Sequence, residues 1–199
     1  MNREIKVAKT VLWSMLVVAL LGVGALFVID QAEKSRHELP VLSPVPDFQF
    51  TARNGDSFGL NDLKGKINVV DFIFTNCQGP CPIMSTNMAE LYKFYTHSPR
   101  VQFVSISVDP ARDSLEALQA YAERYGVTDY RWRFLRGPLE EVRKLSEAGF
   151  FLAADQLPMG HSTKFILVDQ QGQVRGYYDS ADHESLNLLR EHIHALASR

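Results

Sequence analysis

The sequence predicts an α/β fold, a three-layer sandwich with a mixed central sheet, preceded by one transmembrane helix. Short, almost wholly apolar runs alternate with segments whose apolar residues recur at helical spacing. A hairpin pattern and an amphipathic segment close the chain, and a long uncharged run stands near its start. The 199 residues suit one domain of ordinary size plus an appendage. With 46% apolar residues the chain is too hydrophobic for disorder, and two cysteines are too few for a disulfide scaffold. A net charge of −2 provides no electrostatic footprint for nucleic acid.

Residues 11–29 form a run of 19 without a charge. As a helix at about 1.5 Å per residue they span about 28 Å, close to the roughly 30 Å core of a bilayer. Arg3, Lys6 and Lys9 precede the run, and a short basic start stays in the cytoplasm. A cleaved signal peptide is the alternative, because Gly22-Val23-Gly24 has the small-x-small form. Four further apolar residues, 26–29, continue past that point and favour an anchor. Either reading exports the rest of the chain. The absence of an Arg- and Ser-rich transit region favours a bacterium over a mitochondrion. Residues 1–29 are thus the cytoplasmic start and anchor, 30–46 a polar spacer stiffened by Pro40, Pro44 and Pro46, and 47–199 the domain.

Each element of that domain has its own signal. Phe48 and Phe50 alternate with polar neighbours, and Asn54-Gly55 marks a turn before Phe58 and Leu60, so a hairpin is expected. Gly65-Lys66 suggests a phosphate loop, but Ile67 stands where Ser or Thr is required, and the motif is discarded. Residues 69–74 read as a strand covered on both faces. Met84, Met88, Leu91 and Tyr95 predict a helix over 83–97, and 101–108 repeats the buried-strand pattern. Leu115, Leu118, Tyr121 and Ala122 mark a second helix, and residues 138–148 a third. Residues 164–168 and 174–178 flank Asp169-Gln170-Gln171-Gly172 as a hairpin, before a terminal helix with Leu186, Leu189, Ile193 and Leu196 on one face. This order is that of a thioredoxin-like fold with a segment added before the final hairpin.

Cys77 and Cys81 follow the first central strand, at the edge where open α/β sheets place ligands. Pro82 suits the first turn of a helix and puts Cys81 near its amino-terminal cap. Unpaired N–H groups and the helix dipole there favour thiolate, so two easily ionised sulfurs are expected. In an exporting compartment such a pair becomes a disulfide unless it is reduced or metallated. A structural disulfide closing so short a loop contributes only about 2 kcal/mol. Thiol–disulfide exchange fits better, although three residues separate the cysteines where exchangers usually have two. The wider spacing leaves room for an ion.

His161, in Pro158-Met159-Gly160-His161-Ser162, precedes the penultimate strand, and the expected topology brings that loop beside the cysteines. Two thiolates and one imidazole suit three-coordinate Cu(I), whereas structural zinc wants four protein ligands. Zinc with a water or a partner residue is the second choice. His192 and His194 point to nearly opposite helix faces and cannot chelate together. His37, His97 and His183 read as solvated, Met84 and Met88 as core, and Met159 as an open candidate. Asp109 ends the second central strand on the same edge of the sheet.

Phe74-Thr75-Asn76-Cys77, Cys81-Pro82-Ile83-Met84-Ser85, the run from Ser107 to Asp113, and Gly160-His161-Ser162 together resemble the Sco/SenC family over about residues 45–199. The resemblance implies a thioredoxin-like copper chaperone anchored in a bacterial or mitochondrial inner membrane, for a bacterium with its soluble domain in the periplasm. The same resemblance implies Cys77, Cys81 and His161 as ligands and Asp109 on a nearby acidic position. Copper, as Cu(I) or Cu(II), would come from a donor protein and pass to the binuclear copper-site subunit of cytochrome c oxidase. A thiol reductant would keep the cysteines open. The alternative it implies is a thiol–disulfide oxidoreductase in which Cys77 and Cys81 are the redox-active pair, reducing the cysteines of that site or of another exported copper protein. Many members carry an acid between the cysteines, where this chain has Gln78-Gly79-Pro80. A copper or redox sensor is a third reading, and nothing beside Cys77 supports a peroxidase.

Overall fold

The computed structural model describes residues 13, 15, 16, 20–26, 39–77, 79, 81–154 and 157–198. The chain divides into two compact units, Met1–Leu39 and Pro40–Arg199. In the first, residues 13, 15, 16 and 20–26 are helical. Among the described residues no helix is long and apolar enough to cross a membrane. Most of the expected 11–29 anchor, its cytoplasmic start and the spacer as far as residue 38 lie outside the described residues.

The second unit is built on one eight-stranded mixed sheet. Its strands are β1 Ser43–Pro44, β2 Gln49–Ala52, β3 Ser57–Gly59, β4 Ile67–Ile73, β5 Val101–Ser107, β6 Trp132–Arg136, β7 Lys164–Val168 and β8 Gln173–Asp179. The helices are α1 Leu60–Leu63, α2 Cys81–Phe94, α3 Leu115–Arg124, α4 Leu139–Lys144 and α5 His183–Ala197. The spatial order is β1-β8-β7-β4-β5-β6-β2-β3. Strands β4, β5 and β6 run parallel, while every other neighbouring pair is antiparallel.

The central strands are apolar throughout because both their faces are covered. All seven residues of β4 and of β5 are buried. On one face Phe72, Val104 and Ile106 meet Val142, Leu145 and Phe150 in a single cluster. Phe72 and Phe150 meet edge to face with ring centroids 5.8 Å apart. On the other face Tyr92 of α2 packs on Phe103 and Trp132, and Tyr121 of α3 on Phe134. Tyr95 Oη donates to the Arg190 carbonyl at 3.3 Å, tying α5 to the end of α2. The three expected layers follow from this alternation. Truncating a fully buried side chain such as Phe72 to Ala costs about 3–5 kcal/mol.

Several boundaries differ from the sequence reading for local reasons. Helix α2 starts at Cys81, because Pro82 occupies the first turn, where its missing N–H costs nothing. The third helix keeps its α form only to Lys144 and widens into a π-helical turn over Leu145–Gly149. A Cβ on Gly149 would come 2.8 Å from Pro46 Cδ, so only glycine lets that turn pack there. The last spacer residues join the sheet. Leu42 N–H donates to Val174 O and Val45 N–H to Gly172 O, both at 2.9 Å, and Val45 is buried in the core.

Candidate metal centre

Strand β4 ends at Ile73, and the chain turns through Thr75 to Cys77. Cys77 N–H closes that turn on the Phe74 carbonyl at 3.3 Å. A buried carboxylate then fixes the turn from outside. Asp113, fully buried, accepts from Thr75 N–H at 3.2 Å, from Thr75 Oγ1 at 2.6 Å and from the Ser107 hydroxyl. The ends of β4 and β5 are thereby bound to one side chain through Thr75, two residues before the first cysteine. Cys77 is half-buried and Cys81, opening α2, is fully buried. Both are free thiols.

The loop entering β7 supplies the third donor. His161 is buried, and its Nε2 lies 3.2 Å from Cys81 Sγ. Its Nδ1 stands 3.1 Å from the Ser162 carbonyl. A carbonyl only accepts, so the proton sits on Nδ1 and the Nε2 lone pair faces the sulfur. Phe74 meets the imidazole edge to face at 5.6 Å and an interplanar angle of 87°, which restrains its tilt. The ligand atoms of Cys77, Cys81 and His161 all lie within 4.8 Å of one another. Three donors around one ion at metal–ligand distances of about 2.0–2.3 Å stand about 3.5–4.0 Å apart. Small side-chain adjustments therefore suffice to bind a metal.

Electrostatics corrects one expectation. Burial pushes the Cys81 thiol far above its ordinary range, and the neighbouring Cys77 and Asp71 push the same way. A backbone bond from Phe74 acts oppositely but does not prevail. Desolvation thus outweighs the helix terminus, and Cys81 is a thiol, not the easily ionised group expected from its position. Burial lowers the His161 pKa, against smaller opposing contributions from the Ser162 and Phe72 carbonyls, and so favours the neutral ring. Cys81 S–H consequently donates to His161 Nε2, and a metal must displace that proton.

The other candidates stay apart. Met84 and Met88 are buried in the core, while Met159 is 80% exposed. Asp109 is engaged by Arg112 at 2.9 Å and falls outside the ligand cluster. His192 Nδ1 bonds Tyr178 Oη at 2.6 Å, whereas His97, His183 and His194 are exposed and His37 lies outside the described residues. Sequence reasoning missed Asp113 and Asp71. The first lies within a motif already quoted, six residues after Ser107. The second is fully buried on β4 with neither carboxyl oxygen hydrogen-bonded, and its only signal was an acid inside an apolar strand.

Comparison with known proteins agrees with the fold. The SCO1 protein homolog of Bacillus subtilis is 32% identical over 72% of this chain and 77% of its own length. A SCO1/SenC family lipoprotein from Bacillus anthracis superposes with a TM-score of 0.72 at 39% identity, covering 79% of this chain and 97% of that one. BsSco, described as a member of the Sco family of cytochrome c oxidase assembly proteins with a disulfide switch, gives 0.70 at 29% identity, covering 80% and 97%. The SCO1/SenC family model matches residues 39–197. The chain that brings Cys77, Cys81 and His161 together therefore belongs to the SCO1/SenC family.

Proposed function

We propose that this chain is a membrane-tethered copper chaperone that carries one Cu(I) on Cys77, Cys81 and His161 to the binuclear site of cytochrome c oxidase. The observation that carries the reading is the donor set itself. Two sulfurs and one imidazole lie within 4.8 Å of one another, a soft trigonal arrangement that favours Cu(I) over zinc. The association of the similar BsSco with cytochrome c oxidase assembly supports the recipient. The uncharged run of residues 11–29 supports a single inner-membrane anchor with the domain in the periplasm.

Copper is the cargo, so the site must both hold and release it. The Nδ1–H bond to the Ser162 carbonyl orients Nε2 and raises its basicity. Cys81 loses its thiol proton as copper binds, which couples loading to pH. Transfer proceeds by ligand exchange, with acceptor thiolates or imidazoles replacing His161 first and the two sulfurs after it. A Cys77–Cys81 disulfide supplies no thiolate, so reduction gates loading.

A second reading rests on the unequal exposure of the cysteines. Half-buried Cys77 is placed to attack a partner disulfide as thiolate, forming a mixed disulfide and releasing one partner thiolate. Buried Cys81 then loses its proton and attacks Cys77 Sγ. The second partner thiolate leaves and a Cys77–Cys81 disulfide remains. Titrating the reduced chain with Cu(I) against a competing chelator tests the first reading. One tightly held ion per chain supports it, and no retention against the chelator contradicts it.

A further inference from the structure

At the opposite end of β4 from the cysteines, Lys66, Gln102, Tyr130, Arg131 and Arg133 line an open cavity of about 240 Å³. Seven residues of strand at about 3.3 Å each put it about 20 Å from the sulfurs. Lys66 does not reach the cavity by chance. Its Nζ donates to Gln102 Oε1 at 2.9 Å, and Gln102 is almost fully buried. Gln102 Nε2 in turn donates to Asn68 Oδ1 at 2.9 Å and to the Asp62 carbonyl at 3.2 Å. Asn68 Nδ2 closes the relay on the Leu63 and Lys66 carbonyls, both at 2.9 Å. The relay fixes the ammonium through neutral partners alone.

Among the described residues no carboxylate lies within ion-pair distance of Arg133 or Lys66. Arg133 Nε is buried without a hydrogen-bond partner. The guanidinium stands 5.3 Å from the centroid of the Tyr130 ring, and Arg53 lies at the same distance from that ring. Arg53 bonds only neutral oxygens, those of Gln119, Trp132 and Asp129. Arg131 is neutralised by Asp129 at 2.9 Å and serves as wall. Burial and the charge of Arg133 both hold the Lys66 pKa below its ordinary value, with Asp62 opposing them. Two interacting cations are thus held with neither in a salt bridge among the described residues, an arrangement that favours an anion from outside.

We propose that Lys66 and Arg133 form a binding site for a phosphate-class oxyanion, separate from the metal centre. The cavity is smaller than the roughly 300–1,000 Å³ of pockets for drug-sized ligands, so it suits a small headgroup or free ion. Two positive charges match a phosphate dianion, whereas a single carboxylate leaves one of them unpaired. The guanidinium adds a planar fork for two oxygens, and the lysine a point charge.

The test is calorimetric titration of the full chain, in uncharged dodecyl maltoside micelles, with inorganic phosphate. Saturable binding of one phosphate per chain is expected. K66Q and R133Q should each weaken it at least tenfold, and the double variant should give no saturable heat. Exposed Arg124 gives the control variant R124Q, which should keep wild-type affinity, and Cu(I) binding of every variant verifies the fold. Doping the micelles with phosphatidylglycerol distinguishes the sources. Competition assigns the site to a lipid headgroup, and its absence to free phosphate. Lack of saturable phosphate binding overturns the proposal, as does wild-type affinity in the double variant.

Discussion

Cys81 Sγ and His161 Nε2 lie 3.2 Å apart although 80 residues separate them in the chain. The pair is a thiol donating to a neutral imidazole, buried beneath Phe74 and held by the Ser162 carbonyl. Because the imidazole is the one nitrogen donor of the cluster, its removal separates copper chemistry from thiol chemistry. His161→Ala should weaken Cu(I) binding by orders of magnitude while disulfide exchange is largely retained. Chelator competition and reduction of a model disulfide measure the two. Unchanged copper affinity would remove His161 from the ligand set.

The two cysteines should fail in different ways. Cys77→Ser should abolish both copper retention and attack on a partner disulfide. Cys81→Ser should also lose copper, yet still attack, so that a mixed disulfide with the substrate accumulates. Non-reducing electrophoresis and mass spectrometry detect the trapped species. Accumulation in the Cys77 variant instead would reverse the assigned order of attack.

Asp113 binds the cysteine turn to the end of β5. Asp113→Ala leaves the Thr75 N–H, the Thr75 hydroxyl and the Ser107 hydroxyl without their acceptor. At about 1–3 kcal/mol for each buried group left unpaired, the domain should lose several kcal/mol, measured by denaturant unfolding. Copper affinity should fall as well, because Cys77 is two residues from Thr75. A loss below about 0.5 kcal/mol with copper binding intact would show that the turn holds itself.

Asp71 gives a pH signature. Burial raises its carboxyl from an ordinary 3.8 to about 7, opposed by the nearby Ser105 hydroxyl on the paired strand. An acid whose folded pKa is raised penalises the fold where it ionises. The stability it permits is fully present below about pH 4 and is lost as the pH rises through about 7, on the order of 4 kcal/mol in all. Asp71→Asn should therefore be more stable than the wild type at pH 8 and lose this part of the slope. Parallel pH profiles for the two proteins would contradict the assignment.

The fold was legible because its signals are local. The apolar runs of β4 and β5, the Asn54-Gly55 turn and the periodicity of α2 each fall within about a dozen residues. The ligand set was legible through topology, since the loop into β7 must pass the carboxyl end of β4. What escaped the sequence was set by burial and by distant pairing. The terminus of α2 suggested a reactive Cys81, but the depth of its sulfur in the core decides otherwise. The bond from Thr75 to Asp113 and the Lys66–Gln102 relay join positions 38 and 36 residues apart with no periodic pattern to announce them. The edge strand β1 has two residues, one of them proline, and only its partner β8 reveals it.

X-ray absorption at the copper edge of the reduced, Cu(I)-loaded chain tests the ligand set most directly. Two sulfur scatterers and one nitrogen per copper are expected, with the nitrogen lost in His161→Ala. A shell of sulfur alone, or one unchanged by that substitution, would contradict a trigonal site built from Cys77, Cys81 and His161.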